Sequence, residues 1–140
     1  MTAPAGAMGA VLPGWTLRVA LGASVLVTVL AVAGWTSVSP FALALAVLVG
    51  GVAVALPVSH MATAFLALCG LCGLAADGAI TGWLSLAVLG AHATHVTAAL
   101  AAVVPAGAPV ERGALRPSLE RFILAQAAGQ LVVLLAWALT

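Results

Sequence analysis

No Asp, Glu, Lys or Arg stands between Arg18 and Asp77, none between Asp77 and Glu111, and none after Arg121. A soluble fold does not tolerate such stretches, because its surface needs roughly 25% charged residues in the chain. Here, 5% of the 140 residues are charged and 65% are hydrophobic. The solvent for most of the exterior must therefore be lipid. The apolar runs are long, and in hydrocarbon a helix satisfies every backbone N–H and C=O within its own segment. The fold read from these runs is all-α, a polytopic transmembrane helical bundle. A net charge of +1 offers no basic field for nucleic acid. No phosphate-cradling, dinucleotide, zinc-protease or nucleophile-elbow motif occurs.

Crossing about 30 Å of hydrocarbon takes around 20 apolar residues. Residues 1–16 read as a flexible lead, without the basic start of a secretory signal. Residues 17–139 read as a single transmembrane domain with spans at 17–36, 41–56, 60–76, 79–104 and 119–139. Local signals set these bounds. Ser39 suits an N-cap with Pro40 at the first helical position, and Pro57 breaks the next run. Ser59 suits the cap of the third span. Asp77-Gly78 signals a turn, with Asp77 capping the fourth. Pro105 closes that span, residues 105–118 form the one long polar loop, and Ser118 suits the cap of the fifth. One helix over 41–76 would be about 54 Å long, too long for a bilayer without extreme tilt. Five spans are therefore preferred. The alternative is four, with 41–56 re-entrant or packed inside the bundle.

Arginine accumulates on the cytoplasmic side. Arg18 flanks the first span, while Arg112, Arg116 and Arg121 mark the long loop. Both belong on one side only if an even number of spans separates them, as five spans in total provide. The expectation is a multi-pass cell-membrane protein with a cytoplasmic N-terminus, a cytoplasmic 105–118 loop and an outer C-terminus.

At about 100° per residue, Thr81, Ser85, His92 and His95 fall within a sector of about 80°, with Trp83 opposite. Polar side chains in a membrane helix normally face the bundle interior. The stripe is thus expected to point inward and Trp83 outward. Gln126 and Gln130, one turn apart in the fifth span, are the partners expected for the histidine face. Together these six residues form the candidate polar interior. Ser24 with Thr28 and Cys69 with Cys72 make weaker pairs, and glycines in several spans offer close-packing surfaces.

Two imidazoles at i,i+3 share a face, as ligands of haem or a transition metal must, or as proton carriers must. They equally serve as neutral hydrogen-bonding side chains between helices. Cys69-Gly-Leu-Cys72 lies mid-span, away from the helix N-terminus that activates a redox thiol. A Cys2His2 set with the histidines suffers a depth mismatch of about 9 Å. No cofactor and no catalytic residue is expected, because Asp77, Glu111 and Glu120 all lie outside mid-membrane. The function expected is a small non-catalytic membrane subunit or scaffold. It would sit in the lipid bilayer and pack against other membrane subunits or its own copies. The alternatives are a small transporter or proton- or ion-conducting component with a His/Gln-lined interior, and a haem- or metal-binding redox anchor.

Overall fold

The structure, a computed structural model, describes residues 10–75 and 80–139. Five helices run through it: α1 (Trp15–Trp35), α2 (Pro40–Ala55), α3 (Met61–Leu74), α4 (Gly82–Val103) and α5 (Arg112–Ala138). Two short strands, β1 (Val11–Pro13) and β2 (Pro109–Glu111), pair antiparallel. The all-α expectation holds for the bundle. Helices α1, α4 and α5, with 21, 22 and 27 residues, are long and apolar enough to cross a membrane. This marks the chain as a membrane protein. Helices α2 and α3 are apolar but shorter, at 16 and 14 residues, or about 24 and 21 Å.

Local chemistry explains most of the boundaries. The Ser39 hydroxyl accepts from Ala42 N–H at 3.3 Å, and Pro40 occupies the first helical position of α2. At the next corner the cap position belongs to His60, not Ser59. Ser59 still helps, because its oxygen accepts from Met61 N–H at 3.4 Å while its hydroxyl donates to the Leu56 carbonyl. The expected Asp77-Gly78 turn and Asp77 cap lie outside the described residues.

The core is an antiparallel pairing of α1 with α4. Leu21, Val25, Thr28 and Val32 of α1 are buried against a ridge of small residues on α4: Ala87, Gly90, Thr94, Ala98 and Ala101. Gly90 is where the backbones come closest. A Cβ there would lie 2.6 Å from Thr28 Oγ1 and 2.9 Å from Thr28 N. Without a driving force that separates apolar side chains from lipid, such small-residue contacts are what hold membrane helices together. The α2–α3 hairpin packs beside this pair, with Phe65 fully buried against Gly50. Helix α5 lies at the edge against α4 and contributes no buried residue.

Residues 11–13 pair with 109–111, so this part of the lead is fixed against the loop. The pairing aligns Val11 with Glu111 and Pro13 with Pro109. Gly14 continues it, donating its N–H to the Ala108 carbonyl at 2.8 Å. A Cβ on Gly14 would run into the Pro105 carbonyl. Residues 10–14 and the loop therefore sit together at one end of the bundle. The fifth helix begins at Arg112, seven residues before the expected 119, with Glu111 at its cap position and Pro117 inside it. Ser118 is not a cap. Pro117 has no N–H to donate, but the Arg116–Glu120 ion pair at 2.7 Å spans the same turn.

Candidate functional site

The six residues expected to form a polar interior lie along the seam between α4 and α5, or at its end. His92 Nδ1 lies 3.1 Å from Gln126 Oε1. With the oxygen as acceptor, His92 donates through Nδ1. The Phe122 ring leans on the imidazole, with centroids 4.7 Å apart. One turn further along α5, Gln130 Nε2 donates to the Ser85 carbonyl at 2.9 Å. Thr81 is the N-cap residue of α4, without a side-chain cap bond. Thr81 and Ser85 line a cavity of about 190 Å³ with Val133, Leu134 and Trp137 of α5. His95 is exposed and lines a separate cavity with His92 and Arg121. The expected pairing of glutamines with the histidine face is thus present for His92, and Gln130 reaches Ser85.

The stripe meets a neighbouring helix, but that helix is α5 and not the buried α1 side of the bundle. Trp83 does lie opposite it, on the α1 side of α4, and is 46% exposed there. A Cβ on Gly34 of α1 would stand 2.7 Å from the Trp83 ring. The stripe instead faces α5, at the edge of the bundle. The cause is packing: Gly90, Thr94 and the neighbouring alanines let α4 approach α1 more closely than the bulkier histidine face could.

The buried polar residues are Ser24, Thr28 and Thr94. Thr28 Oγ1 lies 3.3 Å from Thr94 Oγ1, and Ser24 Oγ lies 3.2 Å from Thr97 Oγ1. Thr28 also donates to the Ser24 carbonyl at 2.8 Å. A hydroxyl has one proton, so Thr94 is the donor in its bond to Thr28. Thr94 and Thr97 were not among the residues singled out from the sequence. The signal that could have found them is the run Gly90, Thr94, Ala98, Ala101, small residues at helical spacing on one face.

Gln126 Nε2 is buried without a hydrogen-bond partner among the described residues, as is Arg18 Nε. Arg18 Nη1 donates to the Ala55 carbonyl at the C-terminus of α2, at 3.3 Å, where a positive charge opposes the helix dipole.

Cys69 and Cys72 are free and buried in α3. Cys69 lines an apolar crevice of about 300 Å³ with Thr28, Gly73, Ala87 and Ala91, between α1, α3 and α4. That is a different side of α4 from the histidine stripe. No cluster of three His, Cys, Asp or Glu side chains forms among the described residues, so the cysteines and histidines are not brought together as one donor set. Comparison of the chain with known protein families, curated proteins and solved structures finds no match.

Proposed function

We propose that this chain is a small non-catalytic subunit of a membrane assembly, and that α5 is the helix presented to its partner. The observation that supports this reading is the attachment of α5. Helix α5 has 27 residues, none of them buried, and it packs on α4 with a smaller contact to β2. Hydrogen bonds at His92–Gln126 and Ser85–Gln130 tie the helices together. Such bonds contribute about 0.6 kcal/mol each on average. The opposite face, with Leu124, Leu131 and Leu135, is open. A helix held so lightly gains most from a second membrane helix against that face. The bundle in this reading crosses the cell membrane five times, with both the N-terminus and the 105–111 connection cytoplasmic. The pairing of β1 with β2 supports an even number of crossings between them.

The test is extraction of native membranes in a mild detergent, followed by mass measurement by light scattering. The reading expects a species well above the 13.7 kDa of one chain, collapsing toward it with Leu131→Arg. A monomer under the mildest conditions that retain the fold contradicts it.

A second reading rests on the seam itself. Ser85, Gln130, Gln126 and His92 follow one another along it, with cavities at either end. Such a line of side chains suits the passage of a proton or small ion. Liposomes carrying the protein and a pH-sensitive dye test it: a flux abolished by His92→Ala supports conduction, and no flux removes it.

A further inference from the structure

We propose that the wedge between the C-terminal half of α4 and the N-terminal half of α5 binds an anionic phospholipid. Its phosphate sits at Arg121 and His95, and an acyl chain lies in the apolar cavity beside them. Two adjoining cavities form the wedge. One, of about 280 Å³, is lined by His92, His95, Ser118 and Arg121. The other, of about 290 Å³, is lined by Ala93, Leu115 and Leu119, and no polar surface opens into it. Val96, Leu100, Ser118 and Phe122 line both, so the two halves lie side by side. A cleft that carries Arg121 and two histidines beside an apolar one suits an amphiphile better than either half alone.

The charges explain why the headgroup is anionic. Arg121, His95 and Ser118 have no hydrogen-bond or ion-pair partner among the described residues. The nearest acid in sequence, Glu120, is already engaged by Arg116 at 2.7 Å. A guanidinium presents a planar fork that matches phosphate oxygens. Depth adds to the argument. Arg121 shares its cavity with Ala99, yet α4 continues to Val103, about 6 Å further. The apolar part of α5 begins at the next residue, Phe122. A cation at that level is costly unless an anion is drawn to it, and the headgroup layer is the source of anions there. Basic clefts between membrane helices take anionic headgroups for the same reason.

Native mass spectrometry of the full chain tests this, with phosphatidylglycerol and phosphatidylcholine of matched acyl chains as probes. Phosphatidylglycerol should be retained preferentially. Arg121→Gln should lower that retention about fivefold, the effect of one basic residue near a membrane surface. Arg121→Lys should keep most of it, which separates charge from folding. Arg112→Gln, outside the wedge, should leave it unchanged. Soluble glycerol phosphate in excess should not displace the lipid, because it lacks the chain that fills the apolar half. Equal retention of the two lipids overturns the proposal. So does an equal loss with Arg112→Gln, or displacement by glycerol phosphate alone.

Discussion

Thr28 and Gly90 meet where α1 and α4 are closest. The space a Cβ on Gly90 would fill is 2.6 Å from the Thr28 hydroxyl oxygen, 2.9 Å from its N and 3.0 Å from its Cα. Two of these neighbours are backbone atoms, which cannot swing aside as a side-chain tip can. Gly90→Ala should therefore force the helices apart, costing roughly 1–3 kcal/mol, the range for overpacking a close contact. Gly70 on α3 is the control, because nothing lies within 4 Å of its added Cβ. Gly70→Ala should be neutral or stabilising by up to about 1 kcal/mol through helix propensity. Reversible unfolding in mixed micelles compares the two. Equal effects would show that α1 and α4 do not pack as described.

The hydroxyls beside this contact make a smaller prediction. Thr94→Val keeps the shape and removes the donor to Thr28. Thr28 keeps its own bond to the Ser24 carbonyl. The loss should be about 0.6 kcal/mol, and no more than about 1.7. A larger value in the same assay would mean that Thr94 does more than bridge two helices.

Legibility differed by element. Ser39-Pro40 announced the start of α2 because capping is local chemistry, carried by residues adjacent in sequence. The start of α5 was not legible. Arg112 to Ser118 contains glycine, proline and charge, which look like loop, and β2, which precedes the helix, pairs with β1 from the far end of the chain. The stripe from Thr81 to His95 was legible as an angle, and so was its opposition to Trp83. Its direction was not, because two rules compete in a membrane helix. Polarity argued for placing the histidines inside, whereas small size put Gly90 and Thr94 there. The pairing of His92 with Gln126 could be anticipated because both lie in otherwise apolar helices. The Arg121 wedge could not, since it depends on how α5 leans on α4.

The strand pairing predicts a cross-link. Val11 and Glu111 are directly paired and both exposed. Opposed positions in an antiparallel pair bring Cα atoms to about 4.5–5.5 Å, within the range a disulfide spans. In a background with Cys69 and Cys72 replaced by alanine, Val11→Cys with Glu111→Cys should oxidise to an intramolecular disulfide. Thiol counting by mass before and after reduction reads it directly. Persistent free thiols under mild oxidant would separate the lead from the loop.

The native cysteines predict protection. Cys69 and Cys72 are 6% and 7% exposed, inside α3. A membrane-impermeant maleimide should leave both unmodified in intact membranes and modify both after denaturation. Rapid labelling of either in the folded protein would take α3 out of the packed bundle.

His92 and Gln126 hold α5 to α4, and their coupling is measurable. In a double-mutant cycle with His92→Ala and Gln126→Ala, the pair should show an interaction of about 0.6 kcal/mol. Strict additivity would mean that the 3.1 Å contact carries no stability, and α5 would then be held by packing alone.

The central claim is that the open face of α5 meets another membrane helix, and site-directed photo-crosslinking in native membranes tests it most directly. A photoreactive residue is placed in turn at Leu124, Leu131 and Leu135 on that face, and at Val47 on the exposed side of α2. The account predicts one protein adduct of the same mass from all three α5 positions and none from Val47. Lipid adducts alone at every position, with no protein adduct from α5, would contradict it.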